Sequence, residues 1–200
     1  SDVRVEADLS RSKFHYVPVR TSREALSDKE SPAWKEMERV MKELSKAGRV
    51  LVGTYLAFSK AVKDRFPECE VFHFGRGRGI DAYRDFQSVV IFGVPQPPKS
   101  AIIDRATFYF QEDDVPVSDE LEQKNRRLFA DFRVQKALDS MRESEASQLV
   151  HRVRPAINPR TIVSIGLVDY PALPVPQPFP RRKDQAHLDA MEQWVRDFYE

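Results

Sequence analysis

Runs of apolar residues alternate with amphipathic stretches through most of the chain. Two runs, 49–55 and 87–93, are apolar almost throughout, which is typical of strands buried on both faces. The predicted strands cover residues 3–7, 14–19, 49–55, 69–74, 87–93 and 160–168. The predicted helices, with apolar side chains at helical spacing, cover residues 31–47, 56–65, 99–110, 119–142, 144–153 and 184–199.

The alternation of strand and helix favours an α/β domain with a mainly parallel sheet flanked by helices. Residues 171–180 interrupt the alternation with five prolines in ten positions, which predicts an extended linker. We therefore expect one domain over residues 1–170, followed by a Pro-rich linker and a terminal amphipathic helix over 171–200.

Composition limits the classes of function. The 200 residues carry 32 Lys and Arg against 31 Asp and Glu, so a protein whose whole surface binds phosphate is excluded. A single cysteine, Cys69, excludes a disulfide framework and a cysteine-built metal site. No apolar run approaches the roughly 18 residues of a membrane span. We expect a cytoplasmic protein without membrane association, and the initial serine suggests a piece of a longer chain.

Glycine is scarce, and three of the seven glycines fall in the segment GRGRGID at residues 75–81. Loops that follow parallel strands are where ligands bind in open sheets, and backbone N–H groups together with Arg76 and Arg78 suit a phosphate. The glycine spacing does not match a dinucleotide fingerprint, and the chain contains no GxxxxGK[ST] sequence. The alternative is a flexible turn with solvated arginines.

A second candidate segment, QLVHRVRP at residues 148–155, ends a predicted helix just before the last buried strand. The planar guanidinium groups of Arg152 and Arg154 suit bidentate contacts with phosphate or carboxylate. The alternative is a surface basic cluster.

Taken together and in this order, these segments resemble the second RecA-like motor domain of superfamily 2 helicases, over about residues 1–170. RVLVGTY at residues 49–55 is similar to the strand of motif IV in that family. GRGRGID, followed by SVVIFGVPQPP, is similar to motif V, in which Gly79, Ile80 and Asp81 match the family's Gly-x-Asp turn. The likeness extends to helicase-like proteins of phages, plasmids and other mobile elements.

EASQLVHRVRP is similar to motif VI, whose usual form is Gln-x-x-Gly-Arg-x-x-Arg. Gln148 and Arg152 match this form. His151 replaces the glycine, and the last arginine comes one place early, as Arg154. Either arginine is therefore a candidate for the motif's functional residue.

The resemblance implies an RecA-like (P-loop NTPase-like) fold and a role in ATP-dependent movement along nucleic acid. ATP and Mg²⁺ are expected only together with a first RecA-like domain, which supplies the phosphate loop, so this chain alone is expected to be inactive. The expected partner is single-stranded nucleic acid, DNA in preference to RNA. The implied sites are Arg152 and Arg154 as arginine fingers, Gly79, Asp81 and Gln148 at the nucleotide, and Thr54, Tyr55, Arg76, Arg78 and Arg84 at nucleic acid.

Two alternatives stay open. The first is a non-catalytic interaction or regulatory module that keeps a RecA-like sheet, which His151 and the displaced Arg154 favour. The second is an unrelated α/β domain whose glycine loop binds a small phosphorylated ligand. No metal site is expected, because the acidic pair Asp113 and Asp114 is interpreted as part of an exposed loop.

Overall fold

A computed structural model describes residues 8–75, 82–111, 120–123, 126–168, 170–171 and 173–180. The strands are β1 (Lys13–Val17), β2 (Val50–Thr54), β3 (Glu70–His73), β4 (Ser88–Phe92), β5 (Glu120–Gln123), β6 (Arg126–Phe129), β7 (Thr161–Ile165) and β8 (Gln177–Pro178). The helices are α1 (Arg23–Ser27), α2 (Pro32–Leu44), α3 (Leu56–Arg65), α4 (Lys99–Phe110) and α5 (Phe132–His151). The predicted strand over 3–7 and the predicted helix over 184–199 lie outside the described residues.

Six strands form one sheet in the order β3-β2-β4-β7-β1-β8, and every neighbouring pair runs parallel. All these strands therefore begin at one edge of the sheet, the amino edge, and end at the opposite, carboxyl edge. Strands β5 and β6 pair with each other as a separate antiparallel two-stranded sheet. The predicted α/β class with a mainly parallel sheet flanked by helices is confirmed.

The central strands are buried because helices cover both faces of the sheet. Val52 and Val90 belong to a core with residues of α2 and α3, whereas their neighbours Leu51 and Val89 belong to a second core with residues of α5. This alternation follows from the period of two along a strand. Because both faces of the central strands meet a core, β2 and β4 are apolar at almost every position.

Helix α2 begins and ends close to the predicted positions. Ser31 has extended dihedral angles, φ −60° and ψ 157°, and Pro32 occupies the first helical position, where its missing N–H is harmless. The helix ends at Leu44, and Gly48 follows with a φ of +138°, a conformation that favours glycine. The buried face of α2 includes Trp34, which lies against the sheet.

Two predictions for residues 119–153 are wrong. Strands β5 and β6, over residues 120–123 and 126–129, replace the first part of the predicted helix, and α5 is one continuous helix instead of two. Helix α5 begins after Asp131, whose carboxylate accepts a hydrogen bond from Arg133 N at 2.8 Å. The spacing of apolar residues placed Phe129 on the buried face of the predicted helix over 119–142. It lies instead in a small core between α4 and the first half of α5.

The segment predicted as an extended Pro-rich linker joins the sheet at its end. Gln177 and Pro178 pair with His15 and Tyr16 of β1, a position that proline tolerates because β8 is an edge strand. Phe179 is buried, and the Arg39 guanidinium lies over its ring at 5.0 Å. The sheet therefore extends past the predicted boundary at residue 170.

Burial controls the reactivity of the single cysteine. Cys69 is 1% exposed, and this burial raises the pKa of its thiol to about 12. Since the thiolate is the reacting form, we expect Cys69 to react with a disulfide reagent at pH 8 far more slowly in the folded protein than in urea. Absorbance of the released thiol measures both rates, and equal rates in the two conditions would contradict the buried position.

Candidate functional site

The glycine-rich loop leaves the carboxyl edge of the sheet after β3. Gly75 has a φ of +80°, and its N–H donates to Glu145 Oε1 of α5 at 2.7 Å. This bond fixes the start of the loop against α5. The next residues, 76–81, lie outside the described residues, and with them the predicted site residues Arg76, Arg78, Gly79 and Asp81.

After the loop, the chain returns to the amino edge, because β4 runs parallel to β3. This returning segment, residues 82–87, packs on the sheet through the buried rings of Tyr83 and Phe86. The side chain of Arg84 is exposed, whereas its carbonyl oxygen accepts a hydrogen bond from Arg160 Nη2 at 2.7 Å. This bond holds the backbone of Arg84 beside Arg160, which directly precedes β7.

Arg160 connects the returning segment to the end of α5. Its Nε donates to Val153 O at 2.9 Å, while Nη2 donates to Arg84 O. Its own backbone N–H donates to Ser12 Oγ at 3.0 Å. One planar guanidinium therefore joins two segments that are about 70 residues apart in the sequence, residues 84 and 153.

The end of α5 places the two candidate finger arginines differently. Arg152 is half-buried, with its guanidinium 4.2 Å above the ring of Phe72. Arg154 is exposed and adopts a φ of +55°, and its carbonyl accepts hydrogen bonds from Ile157 N and Asn158 N, both at 3.1 Å. Arg154 is thus the more accessible of the two side chains.

Two further residues shape this end of the helix. Gln148 is half-buried, and its Nε2 donates to Ser144 Oγ at 3.2 Å, one turn earlier in α5. Desolvation lowers the pKa of His151, so the imidazole adds little positive charge at pH 7. The positive charge at the end of α5 therefore comes from the arginines.

Thr54 and Tyr55 lie at the carboxyl edge, away from Arg84. The five residues of β2 span about 16 Å, which separates that edge from the amino edge. Thr54 is 0% exposed, so its hydroxyl has no surface with which to contact a nucleic acid. The Tyr55 hydroxyl accepts a hydrogen bond from Val94 N at 3.0 Å and donates to Thr21 O at 3.5 Å. Tyr55 therefore ties three loops together at this edge.

The described residues hold no group of three or more histidine, cysteine or acidic side chains that could bind a metal ion. Asp113 and Asp114 lie outside those residues. Within the described part of the chain, no helix combines the length and the apolar character that crossing a membrane requires.

Sequence reasoning missed the connecting role of Arg160 and the buried Arg142. Arg142 is 3% exposed, and its guanidinium donates to Pro95 O at 3.3 Å and to Gln96 Oε1 at 3.1 Å, next to the end of β4. The sequence feature that could have indicated the role of Arg160 is its position between a proline-containing turn and a buried strand. No local pattern distinguishes Arg142 from the exposed charges of the same helix.

A comparison of the chain with family profiles, with curated proteins and with solved structures finds no significant match.

Proposed function

We propose that this chain is the second RecA-like motor domain of a superfamily 2 helicase or helicase-like translocase. The observation that carries the proposal is the pair of bonds from Arg160 to Arg84 O and Val153 O. They join the segment that follows the motif V resemblance to the segment of the motif VI resemblance. In the proposed motor, contact between these two segments would couple the nucleotide to the nucleic acid.

In this proposal Arg154 is the arginine finger. An arginine finger acts by placing positive charge beside the phosphoryl group during transfer, so it must reach a neighbouring domain. Arg154 is exposed, whereas Arg152 is half-buried over Phe72. We assign Arg152 a positioning role, since its stacking against β3 holds the end of α5 in place.

ATP and Mg²⁺ fit this chain only in part. An exposed arginine suits the terminal phosphate of ATP, and the half-buried Gln148 lies one helical turn before Arg152. Mg²⁺ prefers carboxylate and phosphate oxygens, and the described residues provide no acidic cluster for it. A first motor domain is therefore proposed to supply the metal ligands and the phosphate loop.

A non-catalytic module is the second candidate. It is favoured by His151 at the place of the motif's glycine and by the early position of Arg154, whose φ is +55°. Such a module would keep the parallel sheet and its contacts without contributing to hydrolysis. Measurements of ATP hydrolysis distinguish this module from the motor domain.

Measurements of ATP hydrolysis with Mg²⁺ and single-stranded DNA test the proposal. We expect DNA-dependent turnover from the full-length product of the gene and none from residues 1–200 alone, because the chain has no phosphate loop. Turnover by the isolated chain that Arg152→Ala abolishes would show that the chain is a different enzyme. A full-length product that binds DNA without hydrolysing ATP would favour the non-catalytic module.

A further inference from the structure

Three exposed cations lie along the amino edge of the sheet. Lys13 begins β1, Arg49 precedes β2, and Arg84 lies in the segment that leads into β4. We call these three residues the basic edge. None of them belongs to the candidate arginine finger, and only Arg84 was singled out from the sequence.

Backbone hydrogen bonds hold the basic edge in a row. Gln87 N donates to Arg49 O, Thr161 N donates to Gln87 O, and Lys13 N donates to Arg160 O, at 3.1, 3.1 and 2.8 Å. The four strands that begin here, in the order β2-β4-β7-β1, are neighbours at about 4.8 Å each. The row is therefore about 14 Å long, from Arg49 to Lys13.

The basic edge differs from those surface cations that a carboxylate neutralises. Five described cations, Arg20, Arg39, Lys46, Lys63 and Arg65, form ion pairs with glutamates. Among the described residues, by contrast, no carboxylate forms an ion pair with Lys13 or Arg49. Arg84 is 3.9 Å from Asp85, and exposure of both side chains makes this pair weak.

Two contacts orient the arginines of the row. The Arg49 guanidinium lies 4.1 Å over the ring of Phe86, which restricts its motion and leaves its side chain exposed. The Arg160 bond to Arg84 O fixes the backbone that carries Arg84. The net charge of the whole chain is only +1, so this row is a local concentration of positive charge.

We propose that the basic edge binds the phosphodiester backbone of single-stranded nucleic acid, independently of base sequence. The inference rests on the proposed motor function and names a surface for its substrate. A row of separated cations matches a strand that carries one negative charge per nucleotide. An acidic protein partner is less favoured, because the centres of protein interfaces are depleted of charged residues, whereas this row consists of cations.

Fluorescence anisotropy of a labelled oligothymidylate, measured with the isolated chain at several salt concentrations, tests the proposal. We expect the double variant Lys13→Gln/Arg49→Gln to bind about tenfold more weakly at low salt. Its plot of log affinity against log salt should be shallower by about 1.4, which corresponds to two lost phosphate contacts.

The matched control is Lys42→Gln/Lys60→Gln, which removes the same charge from exposed positions on α2 and α3. This control should bind like the unmodified chain, and thermal melting should show both double variants folded. Equal affinity of Lys13→Gln/Arg49→Gln and the unmodified chain would overturn the proposal. So would an equal loss in the control pair, or the absence of binding by the unmodified chain.

The outcome separates this proposal from the motor function. If the full-length product hydrolyses ATP with DNA while the Lys13→Gln/Arg49→Gln chain binds normally, the basic edge fails and the motor stands. If that variant loses binding while the full-length product has no ATP hydrolysis, the basic edge stands and the motor fails.

Discussion

Under the proposed motor function, replacing Arg154 by alanine should slow DNA-dependent ATP hydrolysis by the full-length product about a thousandfold, which is at the lower end of the effect of an arginine finger. The reason is geometric, because Arg154 is exposed at the end of α5 and its φ of +55° directs the chain into the turn before β7. The loss should appear in kcat, since a finger acts mainly on the transition state. Steady-state kinetics of the purified variant measure this effect.

Two variants serve as controls for this prediction. Arg154→Lys keeps the charge but loses the planar fork, so we expect it to recover only part of the rate. Arg152→Ala removes the contact with Phe72, so we expect a lower melting temperature together with a smaller loss of rate. If Arg152→Ala lowers kcat more than Arg154→Ala without changing the melting temperature, the two roles are reversed.

Replacing Trp34 by alanine should lower the free energy of unfolding by about 3–5 kcal/mol, which is the usual cost of removing a large buried ring. Trp34 is 1% exposed and meets the ring of Phe92 edge-on, with centroids 5.1 Å apart. Its Nε1 donates to Leu26 O at 3.0 Å, so α1 is held against α2 by the same side chain. The substitution therefore opens a cavity and leaves a carbonyl without its donor.

Urea denaturation, followed by circular dichroism, measures this cost. Trp34→Phe keeps an aromatic ring in the core and loses only the indole N–H, so its cost should be smaller. Val175→Ala changes an apolar side chain that is 91% exposed, and we expect a change within about 0.5 kcal/mol. A loss for Trp34→Ala no greater than that of Val175→Ala would show that α2 does not pack on the sheet as described.

The candidate site was only partly predictable from the sequence. Local composition identifies Arg84, Arg152 and Arg154 as candidate phosphate ligands, since arginines near glycine-rich or proline-containing turns suit phosphate. Thr54 was selected for its place at the end of a strand, but whether its hydroxyl is exposed depends on the helices above it. The structure buries Thr54 completely.

The basic edge shows a second limit of prediction from the sequence. Lys13, Arg49 and Arg84 are far apart in the sequence, and no local pattern connects them. Only the order β2-β4-β7-β1 makes their positions neighbours at one edge. That order depends on which strands pair. The pairs join strands that are far apart in the sequence, and they form because pairing buries both faces of each strand.

The sequence by itself determined where most elements begin and end and which class of fold they form. Continuous apolar runs favour burial on both faces, and such burial is typical of a parallel sheet between helices. The tertiary structure decided the pairing of β5 with β6, the edge strand β8 and the contact of Arg160 with Arg84. These features depend on contacts between distant segments, since the packing of Phe129 against α4 and α5 outweighs its helical spacing. Local patterns specify which side chains must be buried, whereas only the assembled chain specifies the surfaces that bury them.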